Sequence, residues 1–217
     1  MEQFLAFPLQ QMPFVVITLI IAFTIHEFSH AFVANLFGDP TAKNEGRLTL
    51  SPIFHLDPFG TLLLIIAGFG WARPVPVNPR NFKRPRLAGV LVSIAGPLSN
   101  LVLAFIGTIC YYALVNAQVA SNNQYLYEFL NLFIMLNILL FIFNLLPFPP
   151  LDGYRILEDL APTNIRIKMK QYESYGILLF LIIVITPLDQ YVISPIYNQG
   201  IPSVMQTFTR ILSPFFF

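Results

Sequence analysis

The sequence predicts an all-α polytopic membrane protein with about four to six transmembrane helices, and two observations lead to this fold class. Hydrophobic residues make up 56% of the 217-residue chain and charged residues only 11%, whereas a soluble domain carries about 25% charged residues. The hydrophobic residues are also gathered into runs of about 20, the length that crosses a bilayer. A net charge of +1 gives no reason to expect a nucleic acid partner.

Four runs are long enough to span a membrane: 12–37, 87–117, 127–146 and 175–193, the last interrupted by Pro187 and Asp189. The run 61–71 is apolar but too short to cross, which predicts a re-entrant or interfacial segment after the first helix. Residues 201–217 fit either an interfacial helix or a further partial span. The first ten residues contain no Lys or Arg, so we expect no secretory signal and a first helix that stays in the protein.

The basic residues predict an orientation. Eleven of the twelve Lys and Arg residues lie in the segments 38–86 and 147–173, and none lies in 118–126 between the second and third spans. Because basic loops favour the cytoplasmic side, we expect the N-terminus outside and both basic segments in the cytoplasm. No repeat or Gly/Ser-rich linker divides the chain, so residues 1–217 are expected to form one membrane-embedded domain, with a core of about 12–155 and accessory helices of about 156–217.

The stretch HEFSH, residues 26–30, places three ionisable groups in the cytoplasmic half of the first span. Residues i and i+4 share a helix face, so His26 and His30 can offer two imidazoles to one metal ion. Glu27 is turned about 100° from His26 and can hold and deprotonate a metal-bound water, as in zinc hydrolases with the H-E-x-x-H pattern. Interhelical hydrogen bonding is the alternative, but each ionisable group in a bilayer costs a few kcal/mol, which favours a shared function.

Zinc in such a site takes three protein ligands and leaves a fourth position to water. The acidic and imidazole candidates for the third ligand are His55, Asp57, Asp152, Glu158 and Asp159. Asp152 is preferred, because it follows the proline-rich end of the third span on the same predicted side as the histidines. Glu158 and Asp159 look like a solvated helix face. His55 and Asp57 fit either a role in supporting the metal site or ordering its loop, or plain turn chemistry.

Three motifs in order resemble the site-2 protease family of intramembrane zinc metalloproteases: HEFSH (26–30), AGPLSN (95–100) and NLLPFPPLDG (144–153). The resemblance covers about residues 15–160. It implies a three-helix catalytic core, one Zn²⁺ per chain held by His26, His30 and Asp152, and Glu27 as the catalytic carboxylate. It also implies a substrate-positioning or oxyanion role for Asn144 and Asn100, although both could instead serve as interhelical hydrogen-bonding residues.

Further features follow from the same resemblance. The stretch EGRLTLSP (45–52) resembles the family's membrane-associated β-loop, which can pair with an unwound substrate strand, and GFG (68–70) is similar to a glycine-aromatic-glycine element of some relatives. The chain resembles the compact form, without a PDZ or CBS domain, which implies a multi-pass protein of the plasma membrane of a prokaryotic cell. The implied partners are the lipid bilayer and a single-pass transmembrane substrate; an earlier cut by an upstream site-1-type protease stays open.

The interpretation of the sequence is therefore an intramembrane zinc endopeptidase of the regulated intramembrane proteolysis type, in which Glu27 activates a zinc-bound water. One alternative is a non-proteolytic metal-binding membrane protein or transporter. A transporter would spread ionisable residues along several spans, and here they cluster in one region. The nearer alternative is a membrane protease of another H-E-x-x-H family, with a downstream glutamate such as Glu158 as the third ligand.

Overall fold

The computed structural model describes residues 7–67, 70–119 and 122–216, and within these ranges it contains helices and loops but no strand. Short 3-10 turns occupy Leu9–Gln11, Pro52–Phe54 and Pro79–Asn81. The α-helices of the described ranges are α1 (Met12–Leu36), α2 (Thr41–Asn44), α3 (Pro58–Ala67), α4 (Pro85–Asn116), α5 (Gln124–Asn144), α6 (Asp152–Leu160), α7 (Thr163–Ile185), α8 (Asp189–Val192) and α9 (Ser194–Phe216).

Three helical stretches of the described residues are long and apolar enough to cross a membrane: Leu9–Leu36, Pro85–Asn116 and Gln124–Asn144. They correspond to the first three predicted spans and confirm the all-α polytopic class. The fourth predicted span, 175–193, is not among them. Its helix, α7, begins twelve residues earlier than expected, in a charged segment. It also ends at Ile185, because Thr186 turns to extended backbone and Pro187 has no N–H to continue the helix.

Helix α4 lies at the centre of the fold and packs against α1, α5 and α6. Small buried residues at these interfaces, among them Ala22, Ala88, Ala104 and Gly107, let the helix backbones approach closely, as is typical of helix packing in membranes. Helix α9 packs against α4 and α5 from the other side. This arrangement brings the start of α6 next to the middle of α1.

The segment between α1 and α4 departs in part from expectation. Residues 45–52 form turns and bends, and no described residue there belongs to a strand. The N–H of Arg47 bonds back to Ala42 and that of Ser51 to the Thr49 hydroxyl, so these groups are not available to a neighbouring strand. Helix α3 has ten residues, about 15 Å, which fits the predicted short segment. The motif GFG lies largely outside the described residues.

Asp39, just after α1, holds the chain that leads into α4 close to the end of α1. Its buried carboxylate accepts hydrogen bonds from the Thr41 N–H and hydroxyl, the Asn78 N–H and the Asn81 side-chain amide. Burial alone would raise the pKa of Asp39, but these donors hold the pKa below its usual range. The chain before α4 is thereby led back past the second half of α1, where the Val75 N–H meets Glu27.

Candidate metal centre

Three candidate ligand atoms converge where α1 meets the first residue of α6. Nε2 of His26 and Nε2 of His30 lie 3.0 Å apart, and Oδ2 of Asp152 lies 3.2 Å and 3.3 Å from them. Both histidines are buried. In the described part of the chain, this is the group of His, Cys, Asp and Glu side chains whose geometry suits a metal ion.

The opposite edge of each imidazole ring fixes its tautomer. Nδ1 of His26 lies 2.7 Å from the side-chain oxygen of Asn100, and Nδ1 of His30 lies 2.7 Å from the carbonyl oxygen of Val92. Because a carbonyl oxygen only accepts, each Nδ1 carries the proton and donates it, so each neutral ring turns the lone pair of Nε2 toward Asp152. This orientation of metal-binding histidines by an outer hydrogen bond is common in metal sites.

The centre is therefore electron-rich on all three sides. Oδ2 of Asp152 is buried and makes no hydrogen bond to any residue that the structure describes. Three lone pairs within about 3 Å of one another repel unless a cation lies between them. In a tetrahedral site with zinc–ligand distances of about 2.0–2.1 Å, neighbouring ligand atoms stand about 3.3–3.4 Å apart, close to the separations of this triangle. The donor set of two imidazoles and one carboxylate also suits zinc.

Gly96 of α4 forms one wall of this cradle. A Cβ atom added at this position would clash with Nε2 of both His26 and His30. The space in front of the two nitrogen atoms thus depends on a residue without a side chain. Together with the unpaired Asp152 oxygen, it makes the residues present a good fit for zinc.

Glu27 is buried beside the triangle but does not belong to it. Its Oε2 accepts a hydrogen bond of 2.9 Å from the backbone N–H of Val75. The rotation of about 100° between neighbouring helix residues separates its carboxylate from the His26 ring. The carboxylate is thus fixed at one oxygen, which leaves the other for a second hydrogen-bond partner.

A chain of side-chain amides supports His26 from behind. Asn100 accepts from His26 and donates its Nδ2 to the oxygen of Asn137 at 3.1 Å and to the carbonyl of Ala22 at 3.3 Å. Asn137 in turn donates to the Phe133 carbonyl at 2.8 Å. Every link has a donor facing an acceptor, so the chain joins α5, α4 and α1 in one consistent direction. Sequence reasoning missed Asn137; its signal was an asparagine in an otherwise apolar span.

Asn144, the last residue of α5, is half-buried and donates its Nδ2 to the Leu140 carbonyl of its own helix at 2.9 Å. It lies eight residues before Asp152 in the chain. The hydrogen bond satisfies the amide group locally, and its carbonyl oxygen is the atom that a substrate could use. The substrate-positioning or oxyanion role of Asn144 therefore stays a prediction.

His55 and Asp57 do not join the ligand group. Nε2 of the fully buried His55 donates to the Thr49 carbonyl at 2.7 Å, and Oδ1 of Asp57 accepts from the Gly60 N–H at 2.7 Å. The Asp57 bond caps the first turn of α3, which is the usual role of a carboxylate before a helix. Both residues thus order the loop, one of the two roles considered for them.

Glu158 is not on a solvated face, and that expectation was wrong. The residue is 3% exposed because the charged first half of α7 covers it. Its carboxylate contacts Arg155 at 3.0 Å, Arg166 at 3.4 Å and Lys170 at 3.3 Å. Burial would raise the pKa of Glu158, but the neighbouring cations hold it below its usual range. Glu158 is thereby engaged in ion pairs and does not approach the histidines.

Comparisons with known proteins agree with this site. A model of peptidase family M50 matches residues 111–186. The chain is 57% identical over 217 residues, 99% of both chains, to the Bacillus subtilis (strain 168) protein named "Putative zinc metalloprotease YwhC". It is also 32% identical over 168 residues, 75% of this chain and 63% of the relative, to "Putative zinc metalloprotease Rip2" of Mycolicibacterium smegmatis. No solved structure matches the chain.

Proposed function

The chain belongs to peptidase family M50, the site-2 protease family of zinc metalloproteases, and we propose that it cuts single-pass membrane proteins within or next to their transmembrane segment. The proposed ligands of one zinc ion are His26, His30 and Asp152, and Glu27 is the proposed general base. Members of this family are embedded in the lipid bilayer, and their substrates are proteins. The position of the cut, the type of substrate and the stoichiometry of zinc are our proposals.

The observation that carries the proposal is the unpaired Oδ2 of Asp152, which faces two imidazole lone pairs. No Lys or Arg of the described residues pairs with Asp152, in contrast to the ion pairs around Glu158. A divalent ion accounts for all three atoms at once. When bound, zinc supplies the Lewis acidity that makes water a nucleophile near neutral pH and polarises a carbonyl group.

The residues of the chain perform the remaining steps of the proposed reaction. The Glu27 oxygen not held by Val75 accepts a proton from the attacking water and delivers it to the nitrogen of the leaving amine, as a general base and then a general acid. Asn100 keeps His26 in the tautomer that presents Nε2. Asn144 is the proposed contact to the carbonyl region of the substrate.

The substrate must present an exposed peptide bond, and a transmembrane helix hides its carbonyls in its own hydrogen bonds. We therefore infer that good substrates contain helix-weakening residues near the cut, since Gly and Pro are the least favourable residues in a helix interior. The basic segments 38–86 and 147–173 support a site toward the cytoplasm. The plasma membrane is the proposed location, with the N-terminus outside.

The alternative of a metal transporter gains no support from the described spans. Among the described residues of α4 after Arg86 and of α5 after Glu128, the sequence contains no Asp, Glu, Lys, Arg or His. A translocation path would need such groups at several depths. The buried polar residues Asn100 and Asn137 instead lead to His26.

The test compares wild type, Glu27→Gln and the control Glu45→Gln, which changes an exposed glutamate outside the site, after reconstitution into vesicles. Two tagged single-pass test substrates are compared. They differ only in the cytoplasmic third of the span, where one carries a Pro-Gly pair and the other a Leu-Leu pair. Wild type and Glu45→Gln should cut the Pro-Gly substrate faster. Glu27→Gln should keep its zinc and lose about 10²–10⁴ in turnover, the usual contribution of a general base.

Equal turnover by Glu27→Gln and wild type would contradict the role of Glu27. Equal cleavage of the two substrates would contradict the requirement for local unwinding. Zinc uptake into the vesicles, with no cleavage, would favour the transporter instead.

A further inference from the structure

We propose that the backbone N–H of Val75 is a positioning group for Glu27, and that residues 73–78, called the strap below, are a fixed support of the catalytic carboxylate. This inference rests on the proposed function, in which Glu27 is the base. It gives a role to the segment RPVPVN, residues 73–78. Val75 in this segment lies 48 residues from Glu27 in the sequence.

The strap lacks helix and strand, and its prolines favour extended backbone in the residues before them. Its backbone N–H groups hold it along its length by hydrogen bonds to other parts of the chain. These bonds run from the Arg73 N–H to the His55 carbonyl at 2.9 Å, from the Val75 N–H to Glu27 Oε2 at 2.9 Å and from the Asn78 N–H to Asp39 Oδ2 at 2.7 Å. The contact to Glu27 thus lies between two anchors, which limits how far Val75 can move.

Arg47 strengthens the contact from the other side of the strap. Its side chain is 5% exposed, and its Nη2 donates to the carbonyls of Arg73 at 2.7 Å and Pro74 at 3.3 Å. In a trans peptide the C=O and N–H point in opposite directions. The unit between Pro74 and Val75 therefore has a cation at its oxygen and the Glu27 carboxylate at its N–H. Each charged partner polarises the peptide and strengthens the bond to the other.

The prolines on either side of Val75 give the strap only one hydrogen-bonding edge in this region. Successive N–H groups of an extended chain point to opposite sides, and Pro74 and Pro76 have no N–H at all. The side turned away from Glu27 thus lacks the donors that a strand needs for pairing. This pattern fits a support for Glu27 better than a docking edge for an unwound substrate.

Val77 provides a matched control within the same segment. Like Val75 it is a valine that follows a proline, but within the described residues its N–H makes no hydrogen bond. Replacement of either valine by proline removes one N–H and adds one ring. Only the replacement at Val75 removes a donor to Glu27.

The experiment uses the zinc-loaded protein in detergent and a leucine hydroxamate as the probe. A hydroxamic acid chelates zinc and gives its hydroxyl proton to a neighbouring carboxylate, so its affinity depends on the position of Glu27 and needs no known substrate. Glu27→Gln should weaken binding by more than about tenfold. Val75→Pro should weaken it by about three- to tenfold, the range of one hydrogen bond. Val77→Pro and Val75→Ala, which keep the Val75 N–H, should stay within about twofold of wild type.

Zinc content should be equal in all five proteins, because a general distortion of the site would lower it. Equal affinities for Val75→Pro and Val77→Pro, with the Glu27 effect intact, would overturn the role of the strap and leave the proposed function standing. Zinc-loaded wild type that binds no hydroxamate would overturn both. If Val75→Pro loses zinc, 2-hydroxyisovaleric acid in place of Val75 removes the N–H alone, and an unchanged affinity of that ester would overturn the proposal.

Discussion

Two of the three acidic side chains of helix α6, Asp152 and Glu158, lie in surroundings of opposite character. Asp152 faces the lone pairs of His26 and His30 and its Oδ2 has no donor, whereas Glu158 is met by cations from α6 and α7. Glu158 is buried, and Oδ2 of Asp152 is buried although the Asp152 side chain is 18% exposed. The comparison shows that shielding alone does not identify a metal site: the sign of the partners separates a ligand from a structural ion pair.

The difference follows from helix geometry. Six residues separate Asp152 from Glu158, and six residues turn an α-helix through about 600°, which leaves the two side chains about 120° apart around the axis. One face of α6 is therefore turned toward α1, and another face is turned toward α7. The same short helix connects the candidate metal centre to α7.

The largest expected effect comes from removal of a ligand. Asp152→Ala and His26→Ala should each weaken zinc binding by more than about 100-fold, the upper end of what the loss of an outer hydrogen bond causes. Zinc content after dialysis against a metal buffer measures this. Glu158→Ala is the matched control on the same helix, and a similar loss of zinc in that variant would erase the distinction between the two acids.

The second-largest effect on zinc affinity is expected for Gly96→Ala. The affinity should fall by about 100-fold, because the new methyl group occupies the space in front of the Nε2 atoms of both histidines. The control is Gly107→Ala on the same helix, whose methyl group would meet the Phe133 ring at 2.9 Å. That variant should lose thermal stability and keep its zinc. Full zinc content in Gly96→Ala would show that the metal lies elsewhere.

Substitutions in the chain of amides behind His26 should lower zinc affinity by an amount that decreases with distance from His26. Asn100→Leu should lower zinc affinity about 10–100-fold, since it frees the His26 ring to rotate and change tautomer. Asn137→Leu acts one step further away and should lower affinity by less than about tenfold. Asn131→Leu, an exposed asparagine on the same helix that bonds its own Tyr127 carbonyl, should have no effect. An Asn137 effect as large as that of Asn100 would contradict the order of the chain.

The smallest effect on zinc is expected for Glu158→Gln, which should instead reduce the free energy of unfolding by about 1–3 kcal/mol through lost charged hydrogen bonds. The folded-state pKa of Glu158 is lowered from its usual value of 4.5, so its contribution is fully present above about pH 4.5 and is lost as the pH falls through the lowered pKa. Thermal unfolding of wild type and variant should therefore differ at pH 7 and converge in acid. The pKa of Asp159 is raised by burial and by the neighbouring Glu158 carboxylate, so Asp159 acts in the opposite sense, and its opposing contribution should be smaller in Glu158→Gln.

Sequence patterns predicted those parts of the site that depend on one helix or on the side of the membrane. His26 and His30 share a face because of the period of the helix, and Asp152 was assigned to their side from the positions of basic residues. The three core spans followed from length and hydropathy. These rules need no knowledge of which helices touch.

The parts that could not be predicted depend on tertiary contacts. The burial of Glu158 requires that α7 fold over α6, and a charged surface pattern looks the same whether or not another helix covers it. The contact between Val75 and Glu27 requires the return of the chain past α1, which Asp39 and Arg47 arrange. The fourth predicted span differs from α7 in its bounds, because the helix begins twelve residues earlier, in a charged segment that hydropathy does not mark, and ends at Ile185, just before the interruption at Pro187.

The position of Asp152 at the start of α6 has a consequence for how the protein is assembled. The candidate ligands come from two segments separated by 122 residues between His30 and Asp152. A metal ion that binds all of them works as a reversible cross-link and removes the entropy of a long loop from the unassembled chain. Metal affinity and the docking of α6 onto α1 are then one coupled equilibrium, so metal supply during membrane insertion would govern when α6 and the helices after it take their places.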